Sequence, residues 1–422
     1  MGILGFAAVK QHLLTGPHCP PAARTPRRSA AGDNVDLLSP DVVMQDMSQF
    51  VMLSPFGART FRDVRRQWTR KLCALFDRGG PRVLVLCFDA APRVTRAKGI
   101  TARARAAAGE RARKRTACPP PADEPIGDHT PVPTDWNAGC LFGHFRRRVA
   151  AWVGEWAPQA VAPATPRDAL LLFMGSDGVL SARSWVAGGA AGEVRSSSPA
   201  VSGEADTAMF AVVRSHLQQG DTVVVNSIDA DSVCIALLWA EATPLVGEVF
   251  VTSVCKPPKD TAPSRKRSTR RFQEYLRIGA LAHVCRRRWG DTHGPHFFVL
   301  LCLLSGSDFT QKLRGVSGSF IVSKGVHGFK RRVVSRGFDA GNLPLCVEIA
   351  RTAETVYAAK TTKNPSRRDS AAFSTRADVG VLARNARWTF AYWAAAATTG
   401  DEPDPFAPGT GFEMQQGGVY RC

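Results

Sequence analysis

Residues 222–238 read TVVVNSIDADSVCIALL: a β-branched run stops at two aspartates, Asp229 and Asp231, and an apolar stretch resumes at once. Such a run has the composition of a strand buried on both faces, and it constrains the fold more than any other feature. The pattern recurs. VVMQD closes on Asp46, VLVLCFD on Asp89 and FFVLLCLLSGSD on Asp308. Each is read here as a strand that finishes in a carboxylate. Helical spacing lies between them, over 61–76, 136–156 and 204–218; Met209, Val212, Val213 and Leu217 mark the last, and Gly220 is placed to end it. Residues 175–201 are turn-rich and suggest a hairpin. Strands alternating with helices imply an α/β fold with a central, mostly parallel sheet flanked by helices.

In a parallel α/β sheet, ligand sites lie at the carboxyl ends of the strands. Strands that each finish in aspartate would therefore deliver their carboxylates to one edge. Glu204 and Asp206 open the helix that feeds the quoted strand and join the set. An aspartate after a strand equally serves as the N-cap of the next helix, and an acid in a first helical turn is favourable in any case. For the whole set that explanation is weaker. Two like charges ~5 Å apart repel by roughly 3 kcal/mol at an effective dielectric of ~20. Gathering Asp46, Asp89, Glu204, Asp206, Asp229, Asp231 and Asp308 would be costly without a cation. Oxygen-only ligands select hard cations, Mg²⁺ or Mn²⁺, and a pair of them ~4 Å apart clamps an in-line displacement at phosphorus.

Composition enters at this point. Across 422 residues the formal net charge is +19 and the pI about 10.0, a balance that favours a polyanionic partner. The excess clusters at 93–115, 146–148, 265–271 and 286–288, each of which also reads as a solvated basic face. Residues 96–116 have the Ala/Arg composition of a helix with little apolar surface to hold it by packing. They read as an element that meets a charged partner. The eleven cysteines show no CxxC spacing, so a reducing compartment without a structural zinc is expected. No apolar run reaches the ~18 residues of a membrane span. MGILGFAAVK has no basic n-region, and Phe6 stands where a myristoylation motif wants Ser or Thr, so neither a signal peptide nor a lipid anchor is expected. A basic protein enclosing an acidic pocket fits a metal-dependent enzyme acting on nucleic acid.

These motifs, in this order, resemble the flap endonuclease/XPG superfamily of 5′ nucleases and their 5′→3′ exoribonuclease cousins. MGILGF is similar to the family's MGI-x-G-L start, VVMQDMSQFVML to the strand carrying its first metal-binding aspartate, and VLVLCFDAAPR to the second. TRAKGITARAR resembles the basic gateway helix, SGEADTAMF the Glu-x-Glu helix start, SIDADSV the Asp-x-Asp strand end, and LLSGSDFTQKLRGVSG the Gly-x-Asp-[Tyr/Phe] segment with its Gly-rich turn. The resemblance covers residues 1 to about 325.

It implies a PIN-like fold over 1–350 with a basic gateway or arch insert near 93–135, and a C-terminal extension of unknown role over 351–422. It implies two Mg²⁺ ions, replaceable by Mn²⁺, shared among the seven acids above. Arg96 and Arg103 would orient the scissile phosphate, with Lys98 and Arg105 nearby. Gly2 would lie near the pocket, and the turn from Gly315 to Gly318 would grip duplex DNA. The implied activity is phosphodiester hydrolysis in DNA, rather than RNA, by a monomeric nuclear or intracellular protein of replication or repair. The alternatives are a 5′→3′ exoribonuclease and a catalytically inactive nucleic-acid-binding relative.

The sequence departs from the family at several points. Asp206 replaces the second glutamate, arginine replaces the gateway lysine, and SFIVS stands where Pro-Lys follows the turn. No clamp-binding box of the Gln-x-x-Leu-x-x-Phe-Phe type is seen. RKRSTRR at 265–271 would bind backbone or serve as a nuclear-import patch. DTHGPHFF, with His293 and His296, reads as a partly exposed turn, and RWTFAYW at 387–393 as a packed helix. The Ala- and Arg-rich usage suggests a GC-rich genome, cellular or viral.

Overall fold

The computed structural model describes residues 24–26, 39–53, 55–77, 80–89, 125–140, 143–163, 168–186, 191–197, 204–227, 229–255, 272–290, 293–304, 307, 309–310, 376–398, 403–405, 407–410, 413–414 and 420–421. One nine-stranded sheet organises them. In chain order its strands are β1 (Arg24–Pro26), β2 (Val42–Asp46), β3 (Val83–Cys87), β4 (Ala169–Met174), β5 (Leu180–Trp185), β6 (Ala191–Ser197), β7 (Asp221–Asn226), β8 (Val246–Cys255) and β9 (Phe272–Arg277). Their spatial order is β1-β9-β8-β7-β2-β3-β4-β5-β6. The five central strands, β8 to β4, run parallel. Both flanks are antiparallel, and the hairpin expected over 175–201 is the β5–β6 pair. The sheet is thus parallel at its centre and antiparallel at its margins. On the β4–β5–β6 side this follows from short connections, 175–179 and 186–190, which suit antiparallel neighbours.

The central strands are mostly apolar because both faces are covered. Side chains alternate between the faces. Val43, Leu84, Leu86, Leu171, Phe173 and Val224 meet α1 (Met47–Phe50), α2 (Phe61–Asp77), α3 (Trp136–Cys140) and α4 (Gly143–Ala160). An aromatic knot closes this side: Trp68 meets Phe50 edge-on at 5.3 Å and Trp136 at 5.8 Å, and Phe61 meets Trp152 at 5.0 Å. Val42, Met44, Val83, Val85, Leu172, Met174, Val223 and Val225 face the opposite way. They pack under α5 (Ala205–Val213), α6 (Ala230–Ala242), α7 (Ile278–Trp289), α8 (Gly294–Leu304) and α9 (Arg376–Thr398). The C-terminal helix α9 shares this core through Leu382, Ala383, Ala386, Trp388, Tyr392 and Trp393, and the packed helix expected over 387–393 lies within it.

Three local expectations change. The run FFVLLCLL is not a strand; it is most of the helix α8. Every residue from Phe297 to Leu304 is buried, so the helix has no polar face and the 3.6-residue period is invisible in the sequence. His296 accordingly sits in α8, half-buried, while His293 keeps its exposed turn. The segment 136–156 is divided between α3 and α4. The helix expected over 204–218 ends early: α5 gives way to a 3-10 turn at Arg214–His216, and Gly220, at φ 86°, completes the exit. No helix among the described residues is long and apolar enough to cross a membrane.

The chain leaves β2 for β3 and β4 on one side, then returns to β7 on the other side of β2. This reversal between β2 and β7 is the topological switch point. The two strands diverge into different connections there and leave a crevice beyond their carboxyl ends.

Candidate functional site

Asp46 and Asp229 flank that crevice. Asp46 ends β2, and the backbone turns at once into α1, which Asp46 caps by accepting the Gln49 N–H at 3.0 Å through Oδ1. The other oxygen, Oδ2, faces β7: Ser227 Oγ donates to it at 3.5 Å. Ser227 is itself held by Ser232 Oγ at 2.7 Å and receives the Asp229 N–H at 3.4 Å. Asp229 caps α6 by accepting the Asp231 N–H at 3.3 Å, and Asp231 is buried in the first turn of that helix. Strand ends and helix starts coincide here, so the carboxylates inherit the rigidity of the sheet.

Asp89 lies two residues beyond β3. Its N–H donates to Ser48 Oγ at 3.0 Å, and its Oδ1 accepts the Ala205 N–H at 2.9 Å. This bond joins β3 to the start of α5, where Glu204 is the buried N-cap and Asp206 sits in the first turn. Asp46, Asp89, Glu204, Asp206, Asp229 and Asp231 thus all stand at carboxyl ends of parallel strands or on the helix starts beside them.

Capping alone does not account for Asp46. A carboxylate that accepts backbone N–H groups in the open has its charged form favoured, as at Asp63, where chiefly the Thr60 and Arg59 N–H groups, with the Thr60 hydroxyl and Arg66 adding, hold the carboxyl below its usual range. Asp46 moves the other way: burial, followed by the charge of Asp89 and a smaller contribution from Asp229, pushes it up to about 8 against the Gln49 bond. The same burial, with Asp46 and Asp89 adding, pushes the neighbouring Cys87 thiol up. The amino end of the sheet is built differently. There Asp221 pairs with Arg82 at 2.9 Å, and Asp41 accepts the Thr222 N–H at 2.9 Å. Among the described residues no Lys or Arg forms an ion pair with Asp46, Asp89 or Asp229. At the amino edge Asp221 has an arginine partner; at the carboxyl edge the charges of Asp89 and Asp229 act on Asp46.

This donor set fits a hard divalent cation in kind: oxygen only, anionic and partly desolvated. Among the described residues no three His, Cys, Asp or Glu side chains stand close enough to hold an ion as placed. Asp308, Gly2, Arg96, Lys98, Arg103, Arg105, Gly315 and Gly318 lie outside the described residues, as does RKRSTRR at 265–271. Of the basic cluster at 286–288, Arg286 makes a two-pronged contact with Glu241 at 2.6 and 2.7 Å, and Arg288 lies over the Trp289 ring at 5.4 Å. Arg286 thereby ties α7 to α6, while the Arg288 contact stays within α7.

Sequence reasoning missed Ser48, Ser227, Thr207 and Tyr392. The serines carried a weak signal, since each lies within two residues of a strand-end aspartate. Tyr392 carried none. Its hydroxyl receives the Glu204 N–H at 3.3 Å and lies 2.8 Å from Thr207 Oγ1. Burial, then the charges of Glu204 and Asp206, pushes its phenol well above the ordinary range. No protein-family model matches the chain, and no curated protein matches it in sequence, so the site rests on its own geometry and on the motifs above.

Proposed function

We propose that the chain is a metal-dependent 5′ nuclease of the flap endonuclease/XPG type, with a PIN-like fold, hydrolysing phosphodiester bonds in DNA. The observation that carries this reading is Asp46: a buried carboxylate at the switch point, flanked by Asp89 and Asp229, with no described basic partner. The repulsion is relieved if a cation sits among them. The order of the acidic motifs and the net charge of +19 point to a nucleic-acid substrate.

Asp46, Asp89 and Asp229 would hold the metal, with Glu204, Asp206, Asp231 and Asp308 completing the set. When bound, two Mg²⁺ ions would supply an activated water and stabilise charge at the phosphate and its leaving oxygen. Ser227 bonds the Asp46 carboxylate from the β7 side, and Ser48 bonds the Asp89 backbone, so both strand ends are tethered beside the crevice. Arg96 and Arg103 would orient the phosphate as bidentate donors.

One observation favours a second reading. The described acids do not converge to metal-holding distance, as suits a relative that binds nucleic acid without cutting it. Cleavage of two 5′-labelled substrates decides, a flapped DNA duplex and a 5′-phosphorylated single-stranded RNA, each with Mg²⁺, with chelator and with Asp229→Ala. The expected result is metal-dependent cutting of the flap that the variant loses. Cutting of the RNA instead selects the exoribonuclease branch. Binding of both without cutting, in Mg²⁺ or Mn²⁺, selects the inactive relative.

A further inference from the structure

The hydroxyl groups around the start of α5 form a closed ring. Thr207 Oγ1 donates to the Glu204 carbonyl at 3.0 Å. A threonine hydroxyl has one proton, so the 2.8 Å contact between Thr207 Oγ1 and Tyr392 must use the tyrosine proton. The Tyr392 oxygen then receives the Glu204 N–H at 3.3 Å. Glu204, Thr207 and Tyr392 are all buried. Buried rings of this kind hold each member in a single geometry, because an opened bond has no water to replace it.

The ring changes what Glu204 is used for. An N-cap side chain ordinarily folds back on the N–H groups of the first turn. Glu204 is the N-cap of α5, yet its side chain makes no capping bond. Asp89 takes the Ala205 N–H and Tyr392 takes the Glu204 N–H, so these two N–H groups are satisfied by residues outside the helix. Tyr392 is itself braced. Its ring stacks on Trp388 at 5.3 Å and meets Phe309 edge-on at 5.9 Å. Phe309 belongs to a tight turn in which the Ser307 N–H donates to Thr310 Oγ1 at 2.8 Å, and Thr310 Oγ1 donates to the Leu303 carbonyl at 2.6 Å.

We infer that Tyr392 is a positioning residue of the acidic site: by bonding the Glu204 backbone and Thr207, it sets the Glu204 carboxylate for a divalent cation and makes the C-terminal helix α9 part of that site. The inference rests on the metal-dependent reading above.

Mn²⁺ binding to the full chain, followed by calorimetry, tests it. Tyr392→Phe keeps the ring and removes the hydroxyl; roughly 10–100-fold weaker binding is expected. Thr207→Val should weaken binding to a similar degree, Thr207→Ser should keep it, and Tyr392→Phe with Thr207→Val should be no weaker than either alone, because both open the same ring. A merely structural tyrosine would lower the Tm and leave the affinity alone. Tyr392→Phe binding Mn²⁺ within about twofold of wild type would overturn the inference. If Tyr392→Phe fails to fold, the Thr207→Val and Thr207→Ser pair answers the same question. If the wild type itself takes up no Mn²⁺, the metal reading fails and this inference with it. That outcome is told apart by appearing in the wild type rather than only in the variants.

Discussion

At Asp46 two uses of a carboxylate meet: capping α1, which favours the charged form, and burial beside Asp89 and Asp229, which opposes it. Burial wins, and the folded-state pKa near 8 stands above the ordinary 3.8. The sign of the linkage follows. Below pH ~4 the acid is protonated in both states and its contribution to stability is fully present; as pH rises toward 8 the unfolded chain ionises more readily, and that contribution is lost. Each tenfold difference in proton affinity between the two states is worth about 1.4 kcal/mol, so the loss is on the order of a few kcal/mol. In chelator, Asp46→Asn should therefore raise the Tm relative to wild type by an amount that grows from pH 5 to pH 8, and Mg²⁺ should shrink or reverse that advantage. A Tm difference that is flat with pH would remove the argument that Asp46 is strained for a cation.

The element that the sequence disguised is α8. Its first residue, Gly294, is pressed against α7: a Cβ there would lie 2.5 Å from the Cys285 carbonyl oxygen and 2.6 Å from its carbon. Backbone cannot yield as a side-chain tip can. Gly294→Ala should force α8 off α7 and destabilise the protein by roughly 1–3 kcal/mol in urea unfolding. An unchanged midpoint would mean that the two helices have room to separate. The strands were legible because a strand buried on both faces is apolar along nearly its whole length, as VVM, VLVLC and VVV are. α8 is apolar for the same reason, burial on all sides, and composition alone cannot tell the two apart.

For the molecule as a whole, the net charge of +19 predicts binding dominated by phosphate contacts. Affinity for a short DNA duplex, measured by anisotropy, should fall at least about 100-fold between roughly 50 and 200 mM salt. The basic residues are not equal in this. Arg286 is engaged by Glu241, so Arg286→Gln should lower stability and leave the salt slope unchanged. A shallow slope in the wild type would argue against a polyanionic partner. A slope reduced in Arg286→Gln would place α7 at the nucleic acid.

The sequence by itself determined the α/β alternation and the carboxylates at the strand ends, because both are local. A strand buried on two faces must be apolar, and a residue after its last position must leave at the sheet's edge. Only the tertiary structure decided which strands are neighbours, and hence that Asp46 and Asp229 flank one crevice between β2 and β7. It alone decided that Tyr392, 188 residues from Glu204, closes the ring at the start of α5. Strand order and long-range hydroxyl contacts depend on how whole helices stack on the sheet, and no local periodicity encodes them.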